Sequence, residues 1–268
     1  MRLRSLLTFA LLSLAAAGCK AIAPSNDRVW SPDQAVLPYA IDTGDSLCIR
    51  NVRNCQYRAV DDYTVDYYDK YVDLSKVETV DFIVCPFQGV PILAHTMLSF
   101  GLGNGEYLAV SVEIRKEKGE AFSPLKGSLR QYEIMYVIGD ERDLVKLRTN
   151  FRGEDVYVYR TTATPEQAQR LFVDVLNRVN KLHASPEFYD TLTNNCTNNI
   201  VYHVNRIKPS RVPYSLQVLF PGMADKYAKD LGLLATPLPI AEARQRARVN
   251  ELALQFGDSP DFSRKIRQ

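Results

Sequence analysis

The fold is decided by residues 90–115, VPILAHTMLSFGLGNGEYLAVSVEIR, in which two apolar runs flank a glycine-rich connector. The runs are rich in β-branched and aromatic residues, which favour extended backbone, and Asn104-Gly105 in the connector is a strong hairpin signal. Glycine-rich connectors also occur in phosphate-binding loops, but no helix pattern follows this one, so we do not expect a nucleotide site. The stretch predicts two antiparallel strands at the centre of a sheet.

Patterns outside this hairpin add strands and helices. Further β-rich runs lie at residues 80–86, 131–138 and 155–160. A short helix is predicted over residues 140–147, and Thr164 caps a helix over residues 165–183 whose apolar residues recur at helical spacing. We therefore expect an α+β fold in which an antiparallel sheet packs against the helices at 165–183 and 196–206.

The N-terminus is typical of an exported protein. Two arginines precede an apolar run over residues 6–17 that small residues close, which predicts a signal peptide over residues 1–18. Two interpretations of its end remain, namely ordinary cleavage after the three alanines at 15–17 and a bacterial lipobox that ends at Cys19. We favour the lipobox, in which Cys19 is lipidated and anchors a periplasmic protein to a membrane, with the outer membrane preferred.

The rest of the chain divides into three parts. Residues 19–79 are turn-rich and are expected to form an irregular N-terminal wrap, residues 80–206 form the catalytic-like core, and residues 207–268 are a proline-punctuated segment with a helical C-terminal extension. No later run reaches the ~18 apolar residues that a membrane-spanning helix needs. The formal net charge is only +2, with both signs evenly mixed, so no nucleic-acid partner is expected. No cofactor or metal is predicted, and the oligomeric state stays open.

Four cysteines follow Cys19, and export permits disulfides among them. Cys48 and Cys55 are close in sequence and form the most plausible pair, so we predict a disulfide there. Cys85 lies in a strand-like apolar run and is expected to be a buried thiol. Cys196 is left without a partner, and an unpaired thiol in an exported protein is a candidate for chemistry.

The unpaired Cys196 lies in the run TLTNNCTNN at residues 191–199, which is typical of the start of a helix. Small polar residues before an apolar stretch are natural N-caps, so Cys196 is predicted to lie in the first turn of a helix. The positive end of the helix dipole favours the thiolate there, which is the reactive form of cysteine. The alternative is a polar loop with a half-buried, unreactive cysteine.

A thiol nucleophile needs a base, and the chain has only three histidines. His203 lies two helical turns from Cys196, roughly 10 Å along the axis, which is too far for a direct hydrogen bond. His183 ends the preceding helix, where a cation interacts favourably with the dipole. His95 lies in the first strand of the hairpin and is the candidate base, with a purely structural core histidine as the alternative.

Glu113, in the second hairpin strand, is the candidate orienting group. Counting inward from residue 103 places residue 95 opposite residue 111, which makes Glu113 a diagonal neighbour of His95 on the same face. In that position its carboxylate would orient His95 and stabilise an imidazolium. The alternative, in which Glu113 pairs with Arg115 or another surface base, stays open, and a bulge in the turn would shift the register.

Several stretches resemble the N-terminal periplasmic domain of the lipoprotein N-acyltransferase Lnb. These stretches, which lie within residues 80–205, are at residues 94–100, 107–115, 136–143 and 191–197. The resemblance implies a permuted papain-like thiol fold, similar to NlpC-type and lecithin:retinol acyltransferase enzymes. It also implies that Cys196 is the nucleophile and His95 the base, with Glu113 as orienter.

The residues and the resemblance together predict a thiol enzyme of the cell envelope. We expect an acyltransferase or acyl hydrolase that forms a thioester on Cys196 and acts on lipid or lipoprotein acyl groups. The resemblance also implies membrane spans after the domain, which this sequence lacks, so the donor, the acceptor and the choice between transfer and hydrolysis stay open. The alternatives are a papain-like amidase or peptidase and a non-catalytic protein that binds lipid or lipoprotein.

Overall fold

The computed structural model describes residues 23–121 and 123–268, which form an α+β fold around one mixed sheet of eight strands. The strands are β1 (Tyr39–Asp42), β2 (Leu47–Arg53), β3 (Gln56–Tyr57), β4 (Tyr63–Thr64), β5 (Tyr67–Val72), β6 (Thr79–Phe87), β7 (Val90–Gly101), β8 (Tyr107–Arg115), β9 (Glu133–Gly139) and β10 (Tyr157–Arg160). The helices are α1 (Pro124–Ser128), α2 (Glu141–Lys146), α3 (Pro165–Ala184), α4 (Cys196–Ile207), α5 (Leu216–Leu219), α6 (Ala224–Asp230), α7 (Ile240–Ala247), α8 (Asn250–Gln255) and α9 (Phe262–Lys265). Short 3₁₀ turns lie at Pro32–Gln34, Leu74–Lys76 and Pro221–Met223, and a π-helical turn at Leu147–Phe151 follows α2.

The predicted signal peptide and Cys19 lie outside the described residues. Within residues 23–121 and 123–268, no helix has the length and apolar character needed to cross a membrane.

The central hairpin forms as predicted, but its register differs by two residues. The ladder pairs Met97 with Ser111, and the backbone N–H of Leu102 donates to the carbonyl of Glu106 to close the turn. The turn is therefore centred on residue 104 rather than 103, because Gly103 and Gly105 both adopt positive φ. A shift of two residues keeps every side chain on its original face, so His95 and Glu113 still share one face.

The segment predicted to be an irregular wrap instead extends the sheet. The strands run in the order β1-β2-β9-β8-β7-β6-β10, and β5 also pairs with β2. The join between β2 and β9 is parallel, at Arg53 and Gly139, so the prediction of a purely antiparallel sheet is wrong at this point. The buried Arg53 guanidinium forms a bidentate pair with Asp143, with Nε and Nη2 2.8 and 2.9 Å from its oxygens, and fixes β2 to the start of α2.

The predicted disulfide between Cys48 and Cys55 is absent. All four described cysteines are buried free thiols, as predicted for Cys85. Cys48 lies near the start of β2, and the strand from there to Arg53 alone spans on the order of 15 Å, whereas bridged Cα atoms lie about 4–7 Å apart. Proximity in sequence misled the prediction because the intervening residues form a strand rather than a loop.

Helices cover both faces of the sheet. On one face α3 and α4 pack on an apolar layer that includes Leu98 and Tyr136. Helix α3 begins as predicted at Thr164, whose hydroxyl accepts from the Gln167 N–H while the Gln167 side chain accepts from the Thr164 N–H. Most of the predicted strands and helices of the core therefore form where the periodicity placed them.

The C-terminal residues form part of the core rather than an appendage. The predicted helical extension contains α7 and α8, and Phe262 of α9 is fully buried on the second face of the sheet. Arg267 lies 2.7 Å from Asp81 and 2.6 Å from Glu141, two buried carboxylates. These ion pairs fix the end of the chain to β6 and α2.

Candidate active site

Cys196 is the first residue of α4, as the sequence predicts. The Asn195 side chain caps the helix by accepting a hydrogen bond of 2.9 Å from the Asn198 N–H. Its own amide donates to the Thr191 carbonyl at 2.7 Å, which holds the preceding turn against the cap. The first N–H groups of a helix have no acceptor within it, so those of Cys196 and Thr197 are available to an oxygen placed beside the thiol.

Cys196 and His95 meet at this helix start. Both side chains are buried, with 8% of Cys196 and 6% of His95 exposed, and the imidazole lies close enough to the thiol to shift its pKa. Burial alone raises the pKa of Cys196, but the charge and the hydrogen bond of His95, with further hydrogen bonds from Thr96, lower it to about 7. About half of the thiol is therefore ionised at pH 7, and the thiolate is the form that a nucleophile requires.

Glu113 and Ser111 hold the other side of the imidazole. His95 Nε2 lies 2.7 Å from Ser111 Oγ and 3.2 Å from Glu113 Oε1. Ser111 Oγ donates to Glu113 Oε1 at 2.6 Å, so it accepts from Nε2–H. With Nε2 engaged in this way, Nδ1 is the ring nitrogen left for the thiol. Burial and Arg148 lower the pKa of His95, but Glu113 and Cys196 outweigh them and raise it to about 9.

A second cation orients Glu113. Arg148, in the π-helical turn, lies 3.3 Å from Glu113 Oε1 and 2.7 Å from Glu154 Oε2. Burial raises the pKa of Glu113, but the charge and hydrogen bond of His95, together with Arg148 and Ser111, hold it well below its ordinary value. The sequence alternative that Glu113 pairs with Arg115 is wrong, because the Arg115 guanidinium donates to backbone carbonyls of the segment before β1.

Three residues of the site escaped the sequence analysis. Thr96 helps to lower the pKa of the thiol, and its hydroxyl lies 3.1 Å from that of Thr197. Thr96 directly follows His95 in the strand, so the sequence could have predicted its place at the site. Ser111 could have been predicted in the same way, because it lies two residues before Glu113. Arg148 had no signal, because a contact across 35 residues depends on how α2 and its π turn pack on the sheet.

The other two histidines lie outside this arrangement. His203 is buried, with Nδ1 2.8 Å from Asp174 Oδ2 and Nε2 2.7 Å from the Tyr136 hydroxyl. Its pKa is lowered, mainly by burial. Both ring nitrogens are engaged between α3, α4 and β9, which gives His203 a structural role. The exposed His183 lies in the last turn of α3, where its ring centroid is 4.8 Å from that of Tyr39.

The described residues contain no cluster of three or more His, Cys, Asp or Glu side chains that could hold a metal ion. The site itself presents a buried thiol of lowered pKa, an imidazole of raised pKa, a carboxylate that orients the imidazole, and backbone N–H groups at a helix start.

A family model described as the Lnb N-terminal periplasmic domain matches residues 63–222. The matched segment includes Cys196, His95 and Glu113, and it begins earlier and ends later than the core predicted from the sequence. The description agrees with the predicted export to the periplasm. No curated protein and no solved structure matches the chain, so the papain-like permutation stays a prediction.

Proposed function

The chain belongs to the Lnb N-terminal periplasmic domain family, and on that premise we propose that it is a periplasmic thiol enzyme that transfers or hydrolyses acyl groups of lipids or lipoproteins. One observation carries the proposal. A thiol of lowered pKa lies at a helix start beside an imidazole of raised pKa, which Ser111 and Glu113 orient from the opposite side. This is the arrangement that covalent acyl catalysis needs.

The proposed first half-reaction acylates Cys196. The thiolate attacks the ester carbonyl, and the resulting oxyanion is stabilised by N–H groups of the first turn of α4. When the carbon–oxygen ester bond breaks, the imidazolium of His95 gives its proton to the leaving alkoxide. The products are a thioester on Cys196, a free alcohol and a neutral imidazole.

The second half-reaction releases the acyl group. An amine or a water molecule attacks the thioester, neutral His95 accepts the proton of the attacking group, and the thiolate leaves. Glu113 stabilises the imidazolium that forms again in this step. Because transfer and hydrolysis differ only in the attacking group, the arrangement supports both.

Large apolar side chains exposed beside the site support a lipid substrate. They lie in the β6–β7 hairpin, in the turn before α4 and around α5, and they are Ile92, Leu192, Tyr214, Leu216, Phe220 and Met223. The Tyr214 hydroxyl donates to the Leu192 carbonyl at 3.3 Å, and the 3₁₀ turn after α5 contacts β7. Exposed apolar patches of this kind mark binding surfaces for membranes, ligands or proteins. The proposed lipid anchor at Cys19 would hold this surface at a membrane, with the outer membrane preferred.

Intact-protein mass spectrometry after incubation with phospholipid vesicles tests the proposal. We expect an adduct of one acyl chain that hydroxylamine removes, that Cys196→Ala abolishes and that the control Cys48→Ala retains. An adduct that persists in Cys196→Ala would exclude the proposed nucleophile. If peptides or amides acylate Cys196 but lipids do not, the amidase alternative is favoured. If no acyl donor modifies Cys196, the non-catalytic binding protein is favoured.

A further inference from the structure

An apolar cavity of about 310 Å³ lies beside α4. We call it the α4 cavity. Strands β6 and β7, together with residues 161–171, form one wall, α4 forms a second, and residues 208–234 form a third. Its apolar lining includes Phe82, Leu98, Ile200, Val204, Ala228 and Leu234. The volume falls within the range of small-molecule sites, which is roughly 300–1,000 Å³.

The α4 cavity approaches the nucleophile at Thr197, the residue after Cys196. Thr197 lines it, and the Thr197 hydroxyl oxygen is 3.8 Å from Cys196 Sγ. Ile200 and Val204 follow Cys196 at intervals of four residues, so they continue the same helix face one and two turns further on. The α4 residues that line the cavity therefore extend from Thr197, next to the thiol, to Ile207 at the end of the helix.

The threonine hydroxyls in the lining are already hydrogen-bonded within the protein, and the lining side chains of Lys208 and Gln217 are exposed. The Thr161 hydroxyl donates to the Val80 carbonyl at 2.8 Å, and the Thr162 hydroxyl donates to the Gly232 carbonyl at 3.0 Å. The Thr197 hydroxyl pairs with that of Thr96. A peptide in this cavity would leave its N–H and C=O groups unpaired, which costs free energy, whereas a hydrocarbon loses nothing.

We propose that the α4 cavity binds one fatty acyl chain of the substrate, with the acyl carbonyl at Cys196. The inference rests on the proposed acyl-transfer function and adds the site that selects the acyl group. From Thr197 to Ile207 the helix advances about 15 Å. An extended chain with C–C bonds of about 1.5 Å advances about 1.3 Å per carbon, so the cavity holds roughly 12 carbons.

Part of the third wall lies outside the segment that matches the family model. Ala224, Ala228 and Leu234 line this wall and lie beyond residues 63–222. The shape of the cavity, and with it the preferred chain length, therefore depends partly on residues outside the matched domain.

A series of p-nitrophenyl esters with chains of 2 to 16 carbons tests the proposal on the described protein. We expect kcat/KM to rise by up to about fourfold per added carbon, the equivalent of about 0.8 kcal/mol per buried methylene, and to level off near 12 carbons. Val204→Trp should narrow the cavity and lower the dodecanoyl-to-butanoyl ratio of kcat/KM at least tenfold. Tyr202→Trp is the matched control, because Tyr202 is 52% exposed on another side of α4 and its variant should keep the wild-type ratio.

Failure of the proposed acyl site can be distinguished from failure of the proposed enzyme function. If butanoyl and dodecanoyl esters acylate Cys196 equally well, the enzyme stands and the proposed acyl site is overturned. If no ester acylates Cys196, the proposed function fails, and photo-crosslinking decides the cavity independently. Cys196→Ala protein with a 12-carbon fatty acid carrying a terminal diazirine should then give crosslinks to residues 204–207 and 224–234, and crosslinks confined to other residues would overturn the site.

Discussion

His95 Nε2 lies 3.2 Å from Glu113 Oε1 at the point where β7 and β8 cease to pair. The ladder between the strands ends at Met97 and Ser111, and two further residues along the same register bring His95 opposite Glu113. Helix α4 contacts both strands, so its first turn presents Cys196 to the imidazole. The end of one strand pair thus brings nucleophile, base and orienting carboxylate together.

The pH dependence of Cys196 reactivity should reflect the ion pair between Cys196 and His95. Because the pKa of Cys196 is lowered to about 7 and that of His95 is raised to about 9, the thiolate–imidazolium form predominates between these values. We expect the rate of alkylation by iodoacetamide to rise about tenfold per unit as the pH increases towards 7 and then to level off. Alkylation rates measured by mass spectrometry at a series of pH values give the midpoint, which is the pH at which the rate reaches half of its plateau value.

His95→Gln should move that midpoint upwards. Without the imidazolium, burial raises the pKa of the thiol above its ordinary value, so alkylation at pH 7 should slow at least tenfold. His183→Gln, which changes an exposed histidine, should leave the midpoint in place. A midpoint near 7 in the His95 variant would show that another group ionises Cys196.

Glu113→Gln should lower the pKa of His95, because the carboxylate charge stabilises the imidazolium. In the first half-reaction activity needs His95 protonated, so the alkaline limb of the kcat/KM profile should shift from about pH 9 to lower pH. A shift of one unit corresponds to about 1.4 kcal/mol. Glu106→Gln removes an exposed glutamate that pairs with Lys70, and its profile should match that of the wild type.

Ser111→Ala tests a positioning role, because it removes the bridging hydroxyl without changing a charge. We expect kcat to fall while KM changes little, since the loss concerns the orientation of His95 rather than substrate binding. The effect should be much smaller when Ser111→Ala is added to Glu113→Gln, because both residues act on the same imidazole. Additive losses in the double variant would contradict a shared role.

How much the sequence could predict depended on the range of the contacts. The hairpin, the cap of α3 and the position of Cys196 follow from local patterns, and the two-residue error in the register preserved the face of His95. Strands β1, β2 and β5 were missed because short polar strands lack a strong alternation and are defined by pairing with distant residues. Arg148 and the α4 cavity arise from packing between segments far apart in sequence, which periodicity cannot show.

The absence of a Cys48–Cys55 disulfide can be tested directly. Unfolding in iodoacetamide without a reductant should label both cysteines, because both are free and lie at separate positions along β2 and after it. Peptide mass spectrometry gives the labelled fraction at each position. A tryptic peptide pair linked through Cys48 and Cys55 would contradict the structure.

Arg148→Met should destabilise the fold as well as the site. Arg148 is 6% exposed, and its removal leaves the carboxylates of Glu113 and Glu154 without their shared cation. Removing one partner of a buried ion pair costs about 3 kcal/mol. Chemical denaturation of the variant should therefore give a free energy of unfolding that is lower by about this amount. Adding Glu154→Gln should restore part of that loss, because it removes a carboxylate whose remaining cation, Arg152, lies further away at 3.7 Å. If the double variant is no more stable than Arg148→Met, the destabilisation comes from lost packing of the arginine stem and not from charge.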